Sequence, residues 1–398
     1  MRNGWTQYKM GELVSLKQGF ALNKKSDHHI SEVKTAYPLL KISDLLNNIE
    51  SLYVKDTIPK QFLVKPSEII YSRTGQVGYA FMGRRGVIYN NCFKVTPNHL
   101  IDNIFLLHLL NSQPIRELAR VLATGTAQPD LNHSAFKSIK VTIPPIRTQQ
   151  KIANILSAYD DLIENNTKRI ELLEEQAQLI YEEWFVRMKF PNHENTKIDA
   201  ETGLPDGWEY KTFADIVDIN PKTSIKKGIV APFVPMGSIS TSSMIIDPIE
   251  ERAVSGGAKF KNGDTLFARI TPCLENGKTG FVQFMKDKES IATGSTEFIV
   301  LRETSSCGKY FIYCTSREER FRENAIKSMV GSDGRQRVNT DCFEKYMVNF
   351  APKEVRLKFE ELCEPMFRSI QIFIEQNNKL REARNIVLPR LMMGIIEV

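Results

Sequence analysis

The chain has 398 residues, 42% of them hydrophobic and 25% charged, with a formal net charge of +6. That length exceeds one ordinary hydrophobic core and suits two domains with connectors, and no run of 18 apolar residues is available to cross a bilayer. Six cysteines occur without a C-x-x-C pair or a histidine pair at ligand spacing, so reduced, mostly buried thiols are expected and a metal site is not.

Along the chain, the first eleven residues carry Arg2, Lys9 and polar side chains but no apolar leader core, which makes a cytoplasmic setting the expectation. Residues 1–149 read as a first domain. Gly4-Trp5 opens it, followed by Glu12-Leu13-Val14-Ser15-Leu16, a strand entered through Pro38, and the β-rich run Glu68-Ile69-Ile70-Tyr71-Ser72-Arg73-Thr74. Residues 1–150 hold 19 Lys+Arg against 10 Asp+Glu, a basic balance that fits a polyanionic partner. Gly125-Thr126-Ala127-Gln128 through Asn132 then leads to a strand at Ile139–Ile143 and a proline exit at Pro145.

Residues 150–190 read as a long central helix, since Gln150–Arg187 has neither Pro nor Gly and is rich in good helix formers. Leu156, Tyr159, Ile163, Ile170, Leu173, Ala177, Ile180 and Trp184 fall on the alternating three-four spacing of a coiled-coil seam, interrupted by the polar Asn166. The outward residues Glu164, Lys168, Arg169, Glu171, Glu174, Glu175, Glu182 and Glu183 read as either a solvated face or one that meets partner helices.

Residues 191–352 comprise a polar, turn-rich linker and a second domain that repeats the first. Gly207-Trp208 matches Gly4-Trp5, Asp215-Ile216-Val217-Asp218-Ile219 matches residues 12–16, and Ala231-Pro232-Phe233-Val234 matches Tyr37-Pro38-Leu39-Leu40. The run Asp264-Thr265-Leu266-Phe267-Ala268-Arg269-Ile270 again ends in arginine, and Gly331-Ser332-Asp333-Gly334-Arg335-Gln336 echoes the glycine turn. This domain is near neutral, with 21 Lys+Arg against 22 Asp+Glu over residues 191–351. Residues 353–398 form a second long helix whose seam is Phe359, Leu362, Met366, Phe373, Leu380, Ala383 and Val387, with Gln376 as the polar break 210 positions after Asn166. Matched polar breaks in matched seams predict that the two helices lie on each other, antiparallel, with the polar pair fixing register.

The fold class expected is therefore α+β: two tandem globular domains of mixed α and β structure, related by a pseudo-twofold duplication and separated by two long antiparallel coiled-coil helices. No catalytic machinery is legible. A methyltransferase would need a glycine-rich cofactor loop and an Asn/Asp-Pro-Pro-aromatic run, whereas the only Pro-Pro is Pro144-Pro145 after Ile143. No G-x-x-x-x-G-K-[ST] run binds ATP, Pro205-Asp206 with Glu209 and Lys211 is too tightly spaced for a nuclease centre, and His28-His29 lies in a polar stretch with no carboxylate constellation around it.

Thr124-Gly125-Thr126-Ala127-Gln128-Pro129-Asp130-Leu131-Asn132, Ile143-Pro144-Pro145 with Gln149-Gln150-Lys151-Ile152, Trp184-Phe185, and Leu204-Pro205-Asp206-Gly207-Trp208 together resemble the specificity (S) subunit, HsdS, of type I restriction-modification systems. The order of domains and helices extends the resemblance over essentially the whole chain. The second copy departs from it at Gly331–Gln336 and at Ala351-Pro352-Lys353-Glu354, which lacks the Gln-Gln pair. The resemblance implies two target recognition domains, each reading one half of a split, asymmetric site on double-stranded DNA, with the helices setting the gap. It also implies partnership with two methyltransferase (M) subunits and with restriction (R) subunits. S-adenosylmethionine, ATP and magnesium would then belong to those partners, with no cofactor in this chain and no membrane association. A coiled-coil scaffold that assembles proteins without reading DNA is the competing expectation.

Readers of base edges and phosphates use Arg, Lys, Asn, Gln, Ser and Thr. The candidate DNA contacts are Arg73, Thr74, Gln76, Arg84, Arg85 and Asn90 in the first domain, and Arg269, Thr271, Lys278, Arg335, Gln336 and Arg337 in the second. A hairpin contact or surface ion pair is the competing role for each. Arg73 and Arg269 rank first because both copies place arginine at the same strand end. Thr126-Ala127-Gln128 reads either as a contact or as packing between the domain and the helices.

Overall fold

The computed structural model describes residues 4–23, 26–125, 127–287, 289–332 and 334–398. Thr126 of the turn motif and Asp333 of its echo therefore lie outside the described residues. The chain divides into two compact units, one of Met1–Ile163 with Lys379–Val398, the other of Glu164–Asn378.

In the first unit, Thr6–Lys9 pairs antiparallel with Lys140–Ile143, closing the globular part where the chain enters and leaves it. Gly4 makes that junction possible: its φ is +83°, and a Cβ there would stand 3.1 Å from the Pro145 ring. A four-stranded antiparallel sheet runs in the order Val14–Gln18, Cys92–Pro97, Ile69–Ser72, Ala80–Phe81. All four residues of Ile69–Ser72 are buried, and the two-residue period of the strand sorts them. Ile69 and Tyr71 enter the main core with Phe93, Phe105 and Phe136, whereas Ile70 joins a smaller core with Leu40, Ile88 and Cys92. That smaller core is covered by a second sheet, Leu39–Leu40, Gly86–Ile88 and Leu63–Val64, whose first pair is parallel. Helices Asn103–Asn111 and Gln113–Leu122 supply the main core's other wall.

The second unit repeats this plan. Glu209–Thr212 pairs with Met347–Phe350, and Gly207, at φ +80°, lies 3.3 Å from the Pro352 ring by the same construction. Its antiparallel sheet follows the order Asp218–Ile219, Phe298–Arg302, Thr265–Ala268, Thr279–Phe281. Phe267, Ile299 and Leu301 face one core, Leu266, Phe298 and Val300 the other. A second sheet, Glu250–Ala253, Val230–Val234, Ala292–Gly294 and Ala258–Phe260, again contains one parallel pair. Helices Lys309–Arg317 and Glu319–Lys327 stand where Asn103–Asn111 and Gln113–Leu122 stand in the first. The molecule is α+β and internally duplicated.

The long helices are Ile146–Tyr181, continued by a π-helical turn at Glu182–Val186, and Lys353–Met392. Within the second unit, Ile170, Ala177 and Tyr181 share a core with Phe359, Cys363, Met366, Phe367 and Ile370. Within the first, Leu156 shares one with Leu391 and Met392, flanked by Val387 and Leu388.

The seam drifts from the heptad spacing read in the sequence. Leu362 is 40% exposed whereas Cys363 is fully buried, and the buried stripe continues through Phe367 and Ile370 to Asn377. An unsupercoiled helix turns once per 3.6 residues, so its buried stripe slips against a strict 3.5 repeat by about 20° per heptad. The polar break shows the consequence. Asn166 donates through Nδ2 to Asn377 Oδ1 at 3.0 Å and, more weakly, to Gln376 Oε1 at 3.4 Å. Asn377 is 3% exposed and Asn166 7%, whereas Gln376 lies on the exposed side. Replacing Asn166 with Ala is expected to leave the Asn377 amide buried without that partner and to cost about 1–3 kcal/mol, read as a lower urea midpoint. Replacing both with Leu should recover the loss.

Candidate nucleic-acid interface

The first unit holds Arg73 at the end of its central strand by a frame of backbone bonds. Arg73 N donates to Asn91 O at 2.9 Å, Leu131 N donates to Arg73 O at 2.9 Å, and Thr74 bridges Asp130. The guanidinium donates through Nη1 to Gln18 Oε1 at 2.9 Å, pairs through Nη2 with Asp130, and lies over the Phe93 ring. Thr74 Oγ1 donates to the other oxygen of Asp130 at 2.6 Å. Burial pushes the Asp130 carboxyl upward, but the hydrogen bonds from Thr74 and Arg73 outweigh it and hold it below the usual carboxylate range. Arg73 and Thr74 thus tie a strand end to the loop Ala123–Asp130.

The second unit builds the same frame with different charges. Arg269 N donates to Glu297 O at 3.0 Å, Val338 N donates to Arg269 O at 2.8 Å, and Ile270 bridges Arg337. Arginine therefore stands at 337 where the first unit has Asp130, and glutamate at 297 where it has Asn91. Arg337 pairs with Glu297 through three hydrogen bonds of 2.7–3.1 Å, the principal cause of a lowered Glu297 carboxyl pKa. Arg269 is left with a 3.4 Å bond from Nη2 to Val338 O, and its buried Nε has no partner among the described residues.

The other candidates divide by engagement. Arg84 is spent on Asn48 and on Ile49 O at 3.1 Å, at the left-handed end of helix Ile42–Asn47. Lys278 Nζ donates to Met236 O at 2.9 Å, and Thr271 Oγ1 accepts from Gln336 N at 3.1 Å. Asn90 is half-buried, its carbonyl accepting from Gln18. Gln76, Arg85 and Arg335 are exposed, and Gln336 is half-buried. Ala127 and Gln128 are exposed as well.

Asp130, Gln18 and Glu297 complete the frames and were not singled out in the sequence. Asp130 lies inside the quoted turn motif, a signal for the residue but not for its pairing with Arg73, 57 positions earlier. Gln18 and Glu297 had none, being 55 and 40 positions from the arginines they meet.

On the helix surface, Lys168 and Glu164 form an exposed pair, and Leu172 and Leu179 are 63% and 50% exposed. Glu174 is not outward, as its sequence position suggested. It accepts from Tyr313 Oη and from Met244 N at 3.0 Å, and burial raises its pKa. Among the described residues no group of three or more His, Cys, Asp or Glu side chains is placed to hold a metal ion. No helix among them is long and apolar enough to cross a membrane.

Comparison with known proteins agrees with this architecture. A family model, the type I restriction modification DNA specificity domain, matches residues 2–175. The chain is 26% identical over 378 residues to the type I restriction enzyme MjaIX specificity subunit of Methanocaldococcus jannaschii, covering 91% of this chain and 84% of that one. It is 22% identical to the MjaVIII specificity subunit of the same organism over 99% of this chain and 93% of that one. The fold is similar to the crystal structure of the S subunit of a type I restriction-modification system from M. genitalium, with a TM-score of 0.59, 16% identity, and coverage of 98% and 97%. With its duplicated domains and paired long helices, the chain is similar over most of its length to type I restriction-modification specificity subunits.

Proposed function

We propose that this chain is the non-catalytic, sequence-reading subunit of a type I restriction-modification complex. Each globular domain binds one half of a bipartite, asymmetric site on double-stranded DNA. The outer faces of the long helices, with exposed Leu172 and Leu179 among acidic side chains, receive two methyltransferase subunits, and restriction subunits join that assembly. Adenine-N6 methylation with S-adenosylmethionine, and ATP- and magnesium-dependent restriction, then reside in the partners. The observation that carries this reading is the duplication itself. Two domains of one topology, each with an arginine-centred frame tying a strand end to a loop, suit two half-sites that are unrelated in sequence.

The test is to combine the chain with a methyltransferase subunit and S-adenosylmethionine and to map the methylated adenines by sequencing. One split motif is expected, with salt-sensitive DNA binding by the complex. Methylation by this chain alone, or DNA binding indifferent to salt and sequence, would overturn the proposal. Four residues inserted after Gln176 lengthen that helix by about 6 Å. At about 3.4 Å per base pair, the gap between the methylated half-sites is expected to grow by one or two base pairs.

A further inference from the structure

The loops Ala123–Asp130 and Val330–Arg337 are closed and docked by the same bonds. Thr124 and Asp130 exchange backbone hydrogen bonds of 3.0 and 2.8 Å, and Val330 and Arg337 exchange bonds of 3.0 and 2.9 Å. Gly75 N donates to Pro129 O at 2.8 Å, and Thr271 N donates to Gln336 O at 3.1 Å, so each loop is anchored on the segment just past its strand-end arginine. This pairing sets Gln128 against Arg335 and Asp130 against Arg337.

The backbone is shared, but the charge is not. Residues 123–130 carry Asp130 alone, whereas residues 330–337 carry Arg335 and Arg337 against Asp333. In the first unit Asp130 neutralises Arg73. In the second, the only carboxylate of the described frame, Glu297, is taken by Arg337. Arg269 has no carboxylate of its own, and Arg335 is exposed without an ion pair among the described residues. At Gly331, with φ +134°, a side chain would be strained, and its Cβ would stand a tight 3.0 Å from Arg335 O. The turn thus holds the Arg335 backbone against the loop while its side chain is exposed.

We propose that Arg335 is a DNA phosphate contact of the second recognition domain, and that the first domain has a neutral Gln128 at the equivalent position. The two half-sites are then held with unequal electrostatic grip, although the first domain carries more basic residues overall. A guanidinium that is charged, exposed and fixed at its root releases one condensed counterion when it meets a phosphate. This inference rests on the DNA-reading function proposed above and adds a specific residue and role to it.

The experiment measures the affinity of the complex of this chain with its methyltransferase subunit for a duplex carrying the mapped site, across a series of salt concentrations. The wild-type complex comes first: a flat salt dependence there would sink the DNA-reading function itself. Given a wild-type slope, Arg335→Gln is expected to make it shallower by about 0.9 with the methylated motif unchanged, and Arg335→Lys to retain it. Gln128→Arg is expected to steepen the slope by a similar amount. An unaltered slope in Arg335→Gln, or a relaxed base at one motif position, overturns the phosphate assignment. An unaltered slope in Gln128→Arg overturns the matched placement of the two loops.

Discussion

Exchanging two residues at once, Gly308→Asp with Glu360→Ala, is expected to leave the second unit nearly as stable as the wild type, although each change alone costs it about 2–4 kcal/mol. The reason lies in how the two units start equivalent helices. In the first, Asp102 caps Asn103–Asn111, accepting from Ile104 N and Phe105 N at 3.0 Å each, and the small Ala153 of the long helix is buried in the same core. In the second, Gly308 precedes Lys309–Arg317 and has no side chain to cap with. Glu360 reaches in from the other long helix and accepts from Phe311 N at 2.9 Å and Tyr310 N at 3.2 Å. A Cβ on Gly308 would lie 2.1 Å from the Glu360 carboxyl carbon, and its φ of −78° shows that room rather than backbone freedom requires glycine. The carboxylate has moved from the cap residue to the facing helix, and the space has moved the other way. Glu360→Ala alone leaves two helix-start amides without acceptors and a void; Gly308→Asp alone collides with Glu360. The pair rebuilds the first unit's arrangement. Urea midpoints of both single variants and the double variant measure the coupling, and simple additivity of the two losses would refute it.

The same carboxyl makes a pH prediction. Burial pushes the Glu360 pKa from 4.5 up to about 7, with the two amide donors opposing. The native state then holds a proton that the unfolded chain has already released. Glu360's contribution to stability is full below about 4.5 and declines as pH rises through 7. Glu360→Gln, which cannot ionise, is expected to flatten that decline in a pH series of urea midpoints.

How much of this was legible depended on how local the signal was. Gly4-Trp5 and Gly207-Trp208, the strand-end arginines, and the proline exits at Pro145 and Pro352 were visible because turn chemistry and strand composition are written in a few adjacent residues. The duplication followed from them, and the long helices from a stretch free of Pro and Gly with three-four apolar spacing. The partners were not legible. Arg73 meets Gln18 and Asp130 only because the sheet order brings the end of Val14–Gln18 and the loop before Asn132 to one strand end. The seam was legible as a seam but not in register. A heptad assigns Gln376, while a 3.6-residue turn rotates Asn377 inward by that point. Glu174 looks solvated among its charged neighbours and is buried because Tyr313 and Met244, some 70 and more positions away, cover it.

The frames also show what duplication preserves. The backbone bonds that hold the two strand-end arginines and close the two loops correspond, whereas the side-chain charges have been exchanged or relocated: Asp130 to Arg337, Asn91 to Glu297, Asp102 to Gly308 with Ala153 to Glu360. Backbone geometry is fixed by hydrogen bonds that any residue can make, so it tolerates divergence. A buried charge tolerates it only when its partner changes in step.

That rule gives the second large effect, at the entry to the central strand of each unit. Asp264 precedes Thr265–Ala268 with its side chain 1% exposed. It accepts from Lys261 N at 2.8 Å and from both Nε and Nη2 of Arg302, at 2.7 and 2.6 Å. Glu68 precedes Ile69–Ser72 in the same way, accepting from Lys65 N at 2.8 Å, but its ion pair is a single 3.0 Å contact with Lys94, and its side chain is 28% exposed. Arg302→Leu strips the buried carboxylate of its bidentate cation while leaving it in the core, and is expected to cost the second unit about 3–5 kcal/mol. Lys94→Met leaves a carboxylate that water still reaches, and about 1 kcal/mol is expected. Adding Asp264→Asn to Arg302→Leu removes the stranded charge while keeping an acceptor for the turn amide at 261, so most of the loss should return. Denaturant midpoints of the three variants decide the matter: equal losses in Arg302→Leu and Lys94→Met, or no recovery in the double variant, would show that packing rather than desolvated charge sets the cost.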